Sequence, residues 1–133
     1  MLIKALAEKS PSRSTASRFT AVCGLFYLGM GLTICAIPTL VPSLLFEPPF
    51  VGREDGLFRL VGWIMAVVGW FLWMGARTGA RSFIAASIVA RLAVPLITIP
   101  LARSGVFPHM MYVFGVLDPA SAVMTWRLLA RSK

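Results

Sequence analysis

The chain is 133 residues long, 58% hydrophobic and only 14% charged, with a formal net charge of +8. A soluble domain of this size has too little polar surface to cover so much apolar material, which excludes an ordinary water-soluble fold and makes lipid the expected solvent. The positive charge does not mark a nucleic-acid binder, because no basic cluster interleaved with aromatics or groove-reading elements is present.

Residues 1–16 form a basic N-terminal segment. Leu2, Ile3 and Leu6 share one helical face beside Lys4 and Lys9, a pattern suited to a short helix lying in a membrane interface. A polar run over 10–15 follows, then a first apolar stretch over 19–37. That stretch is longer than the apolar region of a signal peptide, so it reads as an uncleaved first span. Gly24 and Gly31 recur on one of its faces, as expected where two helices approach closely. Cys23 and Cys35 lie about 18 Å apart along it, too far to bridge, and read as small core residues.

Pro38 ends the span, and the apolar, proline-flanked 39–46 predicts a short re-entrant or surface element. Asp55 precedes the second span, 57–76, as its expected N-cap. Within it Arg59, Gly62, Ala66 and Gly69 fall on one stripe, while Trp70 and Trp73 are placed for an interfacial belt with Trp126 and Phe83. Phe46, Phe50, Phe58 and Phe107 are its expected counterpart at the opposite boundary. The third span, 83–101, contains Pro95 and Pro100, and the fourth, 106–128, contains Pro119. Each proline frees a carbonyl four residues earlier: Arg91, Leu96 and Gly115.

At ~1.5 Å per residue, each of these stretches is long enough for a hydrocarbon core of ~30 Å. The expected fold is therefore all-α: one transmembrane domain built as a four-helix bundle. Placing both termini in the cytoplasm puts Lys4, Lys9, Arg13, Arg18, Arg77, Arg81, Arg127, Arg131 and Lys133 inside. Arg53, Arg59, Arg103, Glu47, Glu54 and Asp55 then lie outside, the bias of a positive-inside topology.

Arg91 and Asp118 are the central ionisable residues. Counting puts each about 14–15 Å from the inner boundary, on helices that a short loop makes antiparallel neighbours. Each alone costs ~2.5–3.5 kcal/mol on insertion scales, so an Arg91–Asp118 pair is expected. Such a pair either fixes helix register or lines an internal pocket. Ser87 and Thr98 accompany Arg91 on its helix, and Tyr112, Gly115, Ala122 and Thr125 approach the Asp118 side. Arg59 either snorkels, pairs with Asp55 four residues before it, or holds an anionic or carbonyl-bearing ligand at the outer mouth. His109 reads as an exposed interfacial residue. A bis-histidine haem would need a second imidazole, which this chain lacks, and no spacing suits zinc, so no cofactor or metal is expected.

The run Phe58-Arg59-Leu60-Val61-Gly62 leading to Gly69, then Ala90-Arg91-Leu92, Gly105 to Pro108, and the single acid Asp118 resemble the small four-helix bacterial inner-membrane proteins of the DoxX-like kind. The likeness covers roughly 19–129. It implies a four-helix bundle in which Arg59, Arg91 and Asp118 are the recurring polar positions. It carries no chemistry with it, since members are mostly of unknown activity, with some linked to redox or sulfur-related membrane complexes. The long proline-containing first loop departs from that compact pattern.

The leading functional expectation is a membrane protein that binds a small lipophilic ligand, a partner subunit or a second copy of itself, with Arg59, Arg91, Asp118, Tyr112, Ser87 and Thr98 as ligand-binding residues. An enzyme acting on an isoprenoid or quinone-like substrate, with Asp118 as general acid or base, is one alternative. A small multidrug-type transporter is another, disfavoured by an Arg opposite the carboxylate and by the one-sided charge.

Overall fold

A computed structural model describes residues 13–131. The expected interfacial helix over 1–7 lies outside the described residues, as does Lys133. The helices are α1 Thr15–Ala36, α2 Leu40–Leu44, α3 Glu54–Arg77, α4 Arg81–Ala93, α5 Pro95–Arg103 and α6 Pro108–Arg131. The described residues contain no strand. Four helical stretches are long and apolar enough to cross a membrane: α1, α3, α4 with α5, and α6. The first three begin two to four residues before the expected boundaries, because polar first turns are helical too, and the fourth begins two residues later, at Pro108. Ser14 caps α1, its hydroxyl accepting from the Ser17 N–H at 3.1 Å.

The remaining helix starts and breaks follow from local chemistry. Asp55 is not the N-cap of α3; that place falls to Arg53, and Asp55 sits in the first turn. There the Glu54 carboxylate accepts from the Val51 N–H at 2.7 Å. The apolar 39–46 folds as the short α2, with Val41 and Leu45 packed against the bundle. Pro95 splits the third span into α4 and α5 at Val94. The carbonyl that Pro95 leaves free on Arg91 accepts instead from the Val94 N–H, three residues on, at 3.3 Å, which settles the lost hydrogen bond locally.

The helices pair as α1 with α3 and α4–α5 with α6, and α1 also touches α6. The α1–α3 seam is built on the glycine stripe. A Cβ on Gly31 would run into the backbone of Ala66 and Gly62, one on Gly24 into that of Gly69 and Trp73, and one on Gly69 into that of Leu28. The seven-residue spacing of Gly24 to Gly31 and of Gly62 to Gly69 keeps both stripes in register along the contact. Ser17 and Ala76 extend it by another seven, the Ser17 hydroxyl donating to the Ala76 carbonyl.

The core has two apolar clusters. Ala16, Ile84, Ile88 and Ala122 occupy the end rich in arginine, whereas Ile34, Phe58 and Met110 occupy the end that carries α2. Phe50, Phe58 and Phe107 close that second end as a cluster of tilted and edge-on rings 5.3–5.9 Å apart. Phe58 is buried, so two of the expected boundary aromatics, Phe50 and Phe107, pack on it as a plug, and only Phe46 points freely outward. Around the bundle Trp63, Ile64, Phe71, Val89, Leu96, Val116 and Trp126 are exposed, while Ser87, Arg91, Thr98, Asp118 and Thr125 are buried. This is the polarity of a bundle whose surroundings are apolar.

The seam yields a direct test. Gly31→Ile and Gly69→Ile should each lower stability in detergent by about 2 kcal/mol or more, through overpacking against backbone. Gly29→Ile, where an added Cβ meets nothing within 4 Å, should leave the melting temperature nearly unchanged.

Candidate functional site

Arg91 lies between the two apolar clusters and is 4% exposed. Its guanidinium is satisfied by neutral oxygens. Nε donates to the Ser87 carbonyl at 3.2 Å and Nη1 to the Ser121 hydroxyl at 3.1 Å. Nη2 donates to the Ser87 hydroxyl at 3.4 Å and to the Thr125 hydroxyl at 2.9 Å. Cys23 faces the same guanidinium from α1. Ser121 and Thr125 pass their own protons back to helix carbonyls, those of Asp118 and Ser121. The result is a hydroxyl cradle drawn from α4 and α6, which lets a buried cation keep hydrogen bonds without a contacting anion.

The expected Arg91–Asp118 ion pair is therefore not formed. Among the described residues the ion pairs within 4.0 Å are Arg59 with Asp55 and His109 with Glu47. A residue count locates backbone only, and side chains lean toward the N-terminus of their own helix. On antiparallel α4 and α6 the two heads therefore diverge. Arg91 reaches back toward Ser87 and forward to Thr125, while Asp118 turns toward α1.

Asp118 is 8% exposed and no donor from the described residues bonds its carboxylate. Ser121 contacts only its backbone carbonyl. The carboxylate instead lines a cavity of about 260 Å³ between α1 and α6. Val22, Phe26, Phe114 and Leu117 make the apolar walls, and Cys23, Tyr27 and Ser121 join Asp118 at the polar end. Val22, Phe26 and Leu117 are also exposed on the outside of the bundle, so the cavity is a groove open sideways.

The other expected ligand-binding residues divide. Ser87 belongs to the Arg91 cradle. Thr98 is buried elsewhere, its hydroxyl donating to the Val94 carbonyl at 3.2 Å and its side chain packed over Gly115. Tyr112 is 50% exposed and does not line the groove; Tyr27 and Phe114 do. Arg59 has a structural task. It pairs with Asp55 at 3.0 Å and donates from Nη1 to the Cys35 carbonyl at 2.6 Å, capping the end of α1. Arg59 is not among the residues that line the groove. Cys23 is a groove residue, a correction to its reading as core packing, whereas Cys35 sits against the Arg59 carbonyl.

A second buried acid escaped the sequence reading. Glu47, from the loop after α2, has a fully buried side chain. Its Oε1 accepts from the Met110 N–H at 2.8 Å, in the first turn of α6. Its Oε2 lies 3.7 Å from His109 Nδ1. The carboxylate thus caps a helix that starts at Pro108, with a charge of the sign that a helix N-terminus favours. His109 itself is exposed, as expected. Among the described residues no three of His, Cys, Asp and Glu come together to hold a metal ion.

Comparison with protein-family models, with curated proteins and with solved structures finds no match to this chain.

Two outcomes follow. In a double-mutant cycle, Arg91→Met and Thr125→Val should show a coupling of about 1.5–3 kcal/mol in unfolding free energy, the size of a hydrogen bond to a charged group. The cycle of Arg91→Met with Asp118→Asn should give a smaller coupling; a larger one would mean the two heads do meet. Separately, Glu47→Ala should destabilise by about 1–2 kcal/mol through loss of the cap, measured against Glu54→Ala at the exposed start of α3, whose cost should be smaller.

Proposed function

We propose that the protein is an integral membrane four-helix bundle that holds a small lipophilic molecule in the groove between α1 and α6, with Asp118 at the polar end. The observation that carries this reading is a buried carboxylate, unbonded by any donor among the described residues, facing a cavity of about 260 Å³ whose open side is apolar. An apolar cavity of roughly 150 Å³ is enough to take benzene, so the groove has room for a longer alkyl or prenyl segment. The ligand would enter from the bilayer, between exposed Val22 and Phe26 on one side and Leu117 on the other. The same opening would serve a partner subunit or a second copy of the chain inserting a side chain.

The proposed setting is a bacterial inner membrane with both termini cytoplasmic. Support comes from Arg18, Arg77, Arg81, Arg127 and Arg131 gathering at one end of the helices, as the positive-inside rule requires. The resemblance to DoxX-like proteins supports the same setting, carried by Arg59, Arg91 and Asp118.

A second reading, a membrane enzyme using Asp118 as general acid or base on an isoprenoid or quinone-like substrate, draws on the same unpaired carboxylate. Proton transfer needs a carboxyl that is free to approach substrate, which Asp118 is and a paired one is not. The transporter reading shares this feature, but the one-sided distribution of arginines argues against insertion in two orientations.

With the protein in lipid nanodiscs, a diazirine-bearing alkyl probe should label residues 22–27 and 114–121 saturably, with excess unlabelled alkyl chain competing. Leu117→Trp, which fills the opening, should cut the saturable component at least about fivefold while leaving diffuse labelling of the Trp63 face. Uniform, non-competable labelling of every lipid-exposed face would overturn the reading. Recovery of a chemically altered probe-free substrate after incubation would shift the conclusion to the enzyme.

A further inference from the structure

Asp118 is the one charged residue among those lining the groove, and as a carboxylate it only accepts hydrogen bonds. Among the described residues no donor occupies the carboxylate oxygens of Asp118, whereas the Arg91 N–H groups are turned into Ser87, Ser121 and Thr125. Arg91 does not line the cavity. A ligand whose polar group only accepts hydrogen bonds, such as a ketone, quinone or ether, would set oxygen against oxygen and leave the carboxylate unsatisfied. That arrangement costs the desolvation of both groups. A donor is required.

Charge separates the two kinds of donor. Arg91 and Asp118 sum to zero, and their neighbours Cys23, Ser87, Ser121 and Thr125 are neutral. An ammonium would leave the cluster with a net positive charge among apolar helices, at considerable cost, and would sit near a guanidinium that has no contacting anion. A hydroxyl adds one hydrogen bond to a charged acceptor and no charge. The volume of about 260 Å³ agrees with a single slender chain, and the cavity is walled by Val22, Phe26, Phe114 and Leu117 and open where Val22, Phe26 and Leu117 are exposed.

We propose that the groove binds a neutral, single-chain lipophilic alcohol, whose hydroxyl donates to the Asp118 carboxylate and whose hydrocarbon tail runs out between α1 and α6 past Phe26. This rests on the groove being a ligand site, as proposed above, and names the chemical class it takes.

The test uses the full chain in nanodiscs and three C12 alkyl diazirine probes that differ only at the head: a primary alcohol, its methyl ether and a primary amine. Half-saturation of groove labelling is read as a mole fraction of probe in lipid. The alcohol should saturate at a mole fraction at least about tenfold lower than the ether, as a hydrogen bond to a charged acceptor allows. In Asp118→Leu the alcohol and ether should become equal within about twofold, both still labelling the groove through its apolar walls. In Asp118→Asn, which keeps the shape and a neutral acceptor, the ratio should fall severalfold. Equal saturation by alcohol and ether in the unmodified protein overturns the alcohol class but leaves the groove as a ligand site. Tighter binding of the amine overturns it in favour of a cation. Failure of all three probes to saturate removes the groove reading itself, and the alcohol with it.

Discussion

A guanidinium enclosed by apolar helices must find its acceptors inside the protein, and Arg91 finds them in three side-chain hydroxyls and one carbonyl. That requirement orders the middle of the bundle. It holds α4 against α6 through Ser121 and Thr125, one turn before Pro95 splits α4 from α5 and Val94 recovers the Arg91 carbonyl. Because neutral oxygens meet the need, the acid nearest in depth is released from pairing. Asp118 then faces the one flank where α6 and α1 leave a gap. The site follows from how the cation is satisfied.

The α1–α3 seam supplies the rigid half of this arrangement. Glycines at seven-residue spacing bring the two backbones into contact, so α1 is fixed by α3 and stands slightly off α6. Ends of helices are held by charges brought from elsewhere in the chain: Arg59 on the last carbonyls of α1, Glu47 on the first N–H groups of α6. Each uses a charged side chain at a boundary, where the cost of burial is smallest and the helix end carries complementary partial charge. The deep charge at Arg91 has no such help and relies on hydroxyls instead.

Much of this was legible from the residues. Four spans, the glycine stripes, the Arg59–Asp55 pair and the exposed His109 are local features, set by hydropathy or by spacings of four and seven. The partner of Asp118 was not legible, because counting residues gives backbone depth while side-chain lean decides contact, and antiparallel helices lean oppositely. Ser121, three residues after Asp118 and four before Thr125, was the unused signal for a hydroxyl cradle on α6. Glu47 was hidden by its separation from Met110 in the chain. Its only trace is a lone acid between Phe46 and Pro48, opposite a helix that begins at a proline and so needs a cap. Tyr112 failed as a groove residue because one face of α6 meets both α4–α5 and α1, and its own position falls on the outer side.

The central claim is that Asp118 faces a sideways-opening cavity free of any ion pair, and reaction with a lipophilic carbodiimide reads this most directly. Such a reagent reaches carboxyl groups from the apolar phase, and a carboxylate locked to a guanidinium does not react. Peptide mapping should find the adduct on Asp118, with Arg91→Met leaving its yield within about twofold. An unmodified Asp118 in the native protein that becomes reactive only in Arg91→Met would contradict the account, because it would mean that the two charges hold each other after all.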